Sequence, residues 1–326
     1  MKNIQLMVID PQNSFCRVVP ESDQQQVHDG ELCVPGGWDD MKRVGDLITR
    51  LDGKLAGIKV TMDGHQRLHV SHPDWFRDSN GNKPNPFTFM RAENGSIIGS
   101  VMQPDCHPPV FVDVGNFQTI LFELSDFKKP YCPQFGYDEA HANDDNTFYK
   151  TYNYLTELQE ISGRQFGNHC LWPPHCLIGT PGHNIVDPLY EAIDNWCSRN
   201  GNTIDITMKG SNPWVEHFSA VRAEVADPDD PETELNTDFI TTLMEADEIL
   251  LSGEARSHCL AKTVRDCANE FVTGGSLGTS DDFIKKCVLL SDATSDVPGF
   301  ESYGDDFVNE MTDRGMKTST CADYLP

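Results

Sequence analysis

Three chemically active side chains stand at the ends of apolar runs that are far apart in the chain. Asp10 closes the run at residues 5–9, Lys209 follows the run at 203–208, and Cys259 lies a few residues beyond Leu251. In a parallel sheet the carboxyl ends of the strands share one edge, and open α/β sheets keep their chemistry there. An acid, a cation and a thiol could therefore meet. Cys259 follows Gly253 and sits in the first turn of a helical pattern (Leu260, Val264, Ala268), where unpaired N–H groups and the helix dipole favour a thiolate. A lysine nearby lowers a thiol's pKa further, and an aspartate can accept its proton and later return it to a leaving group. Taken singly, each residue is ordinary, since buried cysteines are usually small hydrophobes. Their joint placement carries the argument.

A second group follows another apolar run. Asp63, His65 and His69 fall within seven residues, with His72 shortly after. One carboxylate and two imidazoles can close on a divalent metal, and this mixture suits Zn, Fe or Mn better than Mg or Ca. The alternative is a polar surface loop rich in histidine. Much later, Trp172-Pro173-Pro174-His175 fixes a further imidazole in a rigid segment, with Trp172 as a flat wall for an aromatic ligand. A purely structural Trp-Pro loop would read the same way.

The elements that must position these groups alternate. Strands are expected at 5–9, 56–61, 203–208, 248–253 and 286–292, and helices at 41–51, 184–197, 236–246 and near 306–311. This rhythm argues for a mainly parallel sheet covered on both faces, an α/β fold. Residues 76–165 interrupt it with Asn, Pro, Gly and aromatics, two β-like runs at 110–114 and 118–124, and a helix carrying Tyr149, Tyr152, Leu155, Leu158 and Ile161. The segment is expected to be an insertion within a single domain spanning 1–326. It could form a lid, a contact in a homo-oligomer or a substrate filter. The acidic, proline-broken stretch 227–232 is expected to be a solvated turn.

With 51 acidic against 25 basic residues the formal charge is -26, which argues against nucleic acid or an anionic membrane surface as a partner. No apolar stretch approaches a membrane span, and the amino-terminal run is too short for a signal peptide. The 11 cysteines are odd in number and scattered, a pattern that fits a reducing cytoplasm better than a disulfide framework.

Six blocks of this sequence occur in the order seen in nicotinamidases, which are isochorismatase-like cysteine hydrolases. They are Asp10-Pro11-Gln12-Asn13-Ser14-Phe15, Gly30-Glu31-Leu32-Cys33-Val34-Pro35-Gly36-Gly37, Asp63-Gly64-His65 with His69, Trp172-Pro173-Pro174-His175-Cys176, Lys209-Gly210 with His217-Phe218-Ser219-Ala220, and Gly253-Glu254-Ala255-Arg256-Ser257-His258-Cys259. The resemblance covers both ends of the chain and omits roughly residues 76–165. It implies a three-layer α/β/α fold with a six-stranded, mainly parallel sheet. It also implies a catalytic triad of Asp10, Lys209 and Cys259, and an oxyanion hole from the N–H groups of Ala255 and Cys259 beside a cis Glu254–Ala255 peptide. One divalent metal on Asp63, His65, His69 and His175 would complete the site, with Phe15 and Trp172 lining a pyridine slot.

The implied activity is hydrolysis of nicotinamide to nicotinate and ammonia through a cysteine thioester, a reaction of NAD metabolism. The sequence departs from the family at Ser14, Glu254, Arg256 and Ser257. Two alternatives remain open: an amidase of the same superfamily acting on another small aromatic or carbamoyl amide, and a catalytically silent binding module.

Overall fold

A continuous apolar run needs cover on both faces, and the first strand, β1 (Ile4–Ile9), has it: Leu6, Met7, Val8 and Ile9 are wholly buried. The computed structural model describes residues 2–16, 31–103, 110–119, 146–161, 169–272 and 280–325. After β1 come a short turn of helix, α1 (Asn13–Cys16), then α2 (Gly37–Leu51) and β2 (Leu55–Asp63). Met41, Val44, Leu47, Ile48 and Leu51 recur at helical spacing, and all are buried on the sheet side of α2.

The next elements are β3 (Phe76–Arg77), β4 (Thr88–Glu93), β5 (Ser96–Gln103), β6 (Val110–Thr119), α3 (Asn146–Glu160) and β7 (His169–Cys170). The alternation then resumes with α4 (Asp187–Asn200), β8 (Asp205–Lys209), α5 (Thr237–Met244) and β9 (Glu248–Gly253). A π-helical turn, Arg256–Leu260, runs into α6 (Ala261–Val272). The chain closes with α7 (Ser280–Lys286), β10 (Cys287–Leu290), α8 (Glu301–Asp313) and β11 (Lys317–Ser319).

The main sheet has the order β11-β10-β9-β1-β2-β8, and every pairing is parallel. On one face Leu6, Val8, Ile58, Val60, Leu250 and Val288 pack with α2 and α4. On the other, Met7, Ile9, Ile249, Leu251 and Leu289 pack with α5, α6, α7 and α8. These alternating faces give the expected three layers, and each large apolar side chain fully buried there contributes about 1.5–3 kcal/mol. Among the described residues no helix is long and apolar enough to cross a membrane.

A second, antiparallel sheet has the order β3-β6-β5-β4-β7. It shares an apolar cluster with α3, in which Trp75, Met90, Ile97 and Phe117 meet Tyr154, Leu155 and Leu158. Trp75 also donates its indole N–H to Thr151 Oγ1 at 3.1 Å. The β-like runs expected at 110–114 and 118–124 are a single strand as far as Thr119, and residues 120–124 lie outside the described residues. The β4–β5 hairpin was not anticipated. Its turn is Asn94-Gly95, with both residues at positive φ, which is a strong hairpin signal in its own right.

Candidate active site

β1, β2, β8 and β9 end side by side, and their register decides which residues meet. Asp63 pairs with Lys209, and Ile9 pairs with Gly253. The chain just beyond these pairs brings Asp10, Asp63, Lys209 and the Cys259 turn to one edge. Lys209 Nζ lies 2.9 Å from Asp10 Oδ2, 3.2 Å from Asp63 Oδ1 and 3.7 Å from Cys259 Sγ. All four residues are buried. Two glycines permit the close approach. A Cβ on Gly253 would sit 2.1 Å from the Ile9 carbonyl oxygen, and one on Gly210 would sit 2.5 Å from Asp63 Oδ1; both residues have positive φ.

The electrostatics follow from burial. Burial alone would lower the Lys209 ammonium, but Asp10, Asp63 and Cys259 outweigh it and hold its pKa well above the usual value. Burial raises Asp10, with Asp63 adding to the rise and Lys209 opposing it. Burial likewise pushes the Cys259 thiol well up; Lys209 pulls the other way, and Asp10 and Asp63 reinforce the rise. Burial beside two carboxylates thus opposes the thiolate that the helix start and Lys209 favour. Asp10 stands beside the thiol, placed to receive its proton.

The nucleophile turn is held from several sides. The Glu254–Ala255 peptide is cis, and the N–H groups of His258 and Leu260 both return to the Ala255 carbonyl, at 3.0 and 3.2 Å. Each departure in the turn has a partner. Arg256 pairs with Asp296 and Asp305, and Ser257 Oγ accepts from the Val297 N–H at 3.2 Å. Ser14 accepts from the Cys176 N–H at 2.8 Å and donates to Glu31 Oε2 at 2.5 Å. A carboxylate thus reaches the Ser14 position from a neighbouring segment.

Beside Asp63 lies a buried nest of imidazoles. His65, His72 and His175 present ligand atoms all within 4.8 Å of one another. Asp63 Oδ2 is 3.0 Å from His65 Nε2 and 3.5 Å from His175 Nε2. The His69 ring packs 4.4 Å from that of His65 and 5.4 Å from that of His72. These donors fit a divalent metal. His69 and His72 each turn one ring nitrogen to a protein partner, Ser71 Oγ and the Arg67 carbonyl respectively, and leave Nε2 buried without one among the described residues. Burial, with His65 beside them, lowers both, His69 well below the usual range and His72 to about 2, so both rings are neutral and keep a lone pair to offer. Burial opposes protonation of His65 as well, but Asp63 outweighs it and raises that pKa. His72, whose role the sequence left open, stands inside the nest.

Phe15 and Trp172, the residues expected to line a slot, are both buried at this edge. Phe15 meets the His175 ring edge-on at 5.3 Å. Trp172 contacts His258 at 5.2 Å, Phe300 at 5.9 Å and Phe218 at 6.3 Å. Sequence reasoning gave no role to Phe218, His258 or Phe300. Phe218 at least stood in the block that follows Lys209. Phe300 begins a helix distant in sequence and offered no local signal.

No family model matches the chain, and no curated protein matches it in sequence. In structure it is similar to the yeast nicotinamidase bound to the inhibitor nicotinaldehyde, with a TM-score of 0.53 and 17% identity over 97% of this chain and 99% of that one. An Acinetobacter baumanii nicotinamidase pyrazinamidase gives a TM-score of 0.53 and 16% identity over 99% and 98% of the two chains. A protein from L. infantum in complex with nicotinate gives 0.50 and 15% over 98% and 94%. The chain therefore has the fold seen in solved nicotinamidases.

Proposed function

We propose that the protein is a metal-dependent nicotinamidase that hydrolyses nicotinamide to nicotinate and ammonia. The observation that carries this reading is Lys209 Nζ lying within 3.7 Å of Cys259 Sγ and 2.9 Å of Asp10 Oδ2, directly beside the imidazole nest. A thiol, a proton acceptor and a fixed cation in one buried cluster suit acyl transfer through sulfur.

In this mechanism Cys259 Sγ attacks the carboxamide carbon while its proton passes to Asp10. Lys209 remains an ammonium throughout and balances the charge on sulfur and on Asp10. The N–H groups of Ala255 and Cys259 serve as donors to the developing oxyanion. Asp10 then returns the proton to the amide nitrogen, the C–N bond breaks, and ammonia leaves a thioester on Cys259. Water attacks the thioester, Asp10 takes its proton, and the acid is released as the sulfur is reprotonated. Asp63, His65, His69 and His175 are the metal ligands in this reading, with His72 presenting a further imidazole. A bound metal would supply a Lewis acid able to hold a pyridine nitrogen. Phe15 and Trp172 supply the apolar walls that orient an aromatic ring and keep bulk water out.

The test is ammonia release from nicotinamide by metal-loaded protein, run beside Cys259→Ala and His175→Ala. Release that is lost in Cys259→Ala is the expected result. Unchanged release in that variant would remove the covalent mechanism. Turnover of a different amide but not of nicotinamide would move the protein to another substrate class. No turnover of any amide by folded, metal-loaded protein would leave a binding module.

A further inference from the structure

Glu254 is wholly buried and Asp40, at the start of α2, is 3% exposed, yet their carboxyl groups lie within hydrogen-bonding reach of each other. Ionised carboxylates only accept hydrogen bonds, so this contact requires a proton on one of them. The surrounding donors decide which. Asp40 accepts from Ser295 Oγ at 2.6 Å through one oxygen and from the Arg43 guanidinium through the other. Among the described residues Glu254 Oε2 accepts only the Ser295 N–H, at 3.1 Å, and Glu254 Oε1 has no donor. The oxygen without a donor is the one free to carry the proton.

We propose that Glu254 is a protonated positioning residue, whose carboxyl donates to Asp40 and so ties the turn carrying Ala255 and Cys259 to α2. Ser295 joins the two acids from a third side, because its N–H, hydroxyl and carbonyl bind Glu254, Asp40 and the Arg256 N–H respectively. The same loop continues the clamp. Ala293 O accepts from the Gly253 N–H at 3.1 Å, Thr294 Oγ1 donates to the Gly253 carbonyl at 2.6 Å, and Asp296 holds Arg256. Glu254 thus fills, at the nucleophile turn, a place that calls for an uncharged side chain able to donate a hydrogen bond.

The groups facing this carboxyl are Asp40 and Arg43 on α2, Cys16 on α1, and Asp296, itself paired with Arg256, on the loop. Burial and then the Asp40 charge hold Glu254 well above the usual carboxyl range. In the unfolded chain the group ionises near about 4.3. Between these two values the folded state binds a proton that the unfolded state has lost, so stability from this group falls as pH rises, and the fall ends above the folded pKa. Ionisation would set two carboxylates side by side and break the tie.

The test compares wild-type protein with Glu254→Gln, Glu254→Leu and Asp40→Asn in thermal melts from about pH 5 to about pH 9, a range that starts just above the ordinary carboxyl pKa. Gln keeps an N–H donor toward Asp40 and cannot ionise. Its Tm should therefore gain on wild type steadily as pH rises. Asp40→Asn removes the like charge and offers Glu254 a donor, so its slope should also flatten. Parallel curves for wild type and both polar variants would overturn the proposal.

The kinetic arm rests on the nicotinamidase reading. Glu254→Gln should keep kcat within about threefold near neutral pH, whereas Glu254→Leu should lose about tenfold or more in kcat at unchanged KM. Equal kcat for Leu and Gln would also overturn it. If nicotinamide is not a substrate, the rate of Cys259 alkylation by iodoacetamide, followed by peptide mass, replaces kcat, and the melts decide the protonation independently of any activity.

Discussion

The Thr61 hydroxyl donates to Asp10 Oδ1 at 2.6 Å, and the Asp10 N–H returns to Thr61 Oγ1 at 3.1 Å. This reciprocal pair across β1 and β2 fixes the carboxylate so that Oδ2 faces Lys209. Thr61→Val keeps the shape and removes both contacts. Asp10 Oδ1 would then be buried with no donor, at a cost of about 1–3 kcal/mol. A urea titration should register that loss, together with a fall in kcat as Asp10 becomes easier to protonate at rest. A variant as stable and active as wild type would remove Thr61 from the site.

Lys209 is the cation that compensates Asp10 and Asp63, both buried. Lys209→Met leaves those carboxylates facing each other without it. Breaking a buried pair in this way costs about 3–5 kcal/mol. The unfolding midpoint should drop accordingly, and ammonia release should fall by about two to four orders of magnitude. A loss of less than about 1 kcal/mol would show that water reaches the cluster, since only exposed pairs are worth so little.

The α/β rhythm and the strand ends at Asp10, Lys209 and Gly253 were legible because continuous apolar runs and helical spacing are local signals. The imidazole nest was half legible. Asp63, His65 and His69 are neighbours in sequence, but the inward turn of His72 depends on a hydrogen bond from its ring to the Arg67 carbonyl, which no spacing rule predicts. The Glu254–Asp40 contact was hidden, because it joins residues more than two hundred positions apart. Sequence marked Glu254 only as a departure in the nucleophile turn. The influences on Cys259 divide in the same way: the helix start that favours a thiolate is local, whereas burial beside two distant carboxylates, which opposes it, is not.

Metal content should follow the imidazole nest. His175→Ala and His72→Ala each remove a buried ring nitrogen from a group whose atoms lie within 4.8 Å. Elemental analysis after dialysis should show affinity reduced by at least about tenfold in each. Because imidazole and carboxylate ligands must be deprotonated to bind, wild-type protein should release metal as pH falls below about 6. His183→Ala is the comparison, since that ring is only part-buried at the rim. Full metal content in His72→Ala would confine the site to Asp63, His65, His69 and His175.

Gly253 tests the geometry on which the whole edge depends. Its φ is +112°, and an added Cβ would fall 2.1 Å from the Ile9 carbonyl oxygen and 2.4 Å from the Ile9 nitrogen. Those are backbone atoms of the central strand, so neither can swing aside as a side chain could. Gly253→Ala must therefore part β9 from β1 at the point where Asp10 and the nucleophile turn emerge. The dihedral alone costs about 1–3 kcal/mol, and the clash adds to it. The variant should melt lower than wild type and should also lose kcat out of proportion to its loss of stability, because Cys259 would shift relative to Asp10 and Lys209. Measuring kcat well below the variant's melting range separates the two effects. Full activity there would mean that the sheet edge can open without moving the thiol, and the register argument for the site would fall.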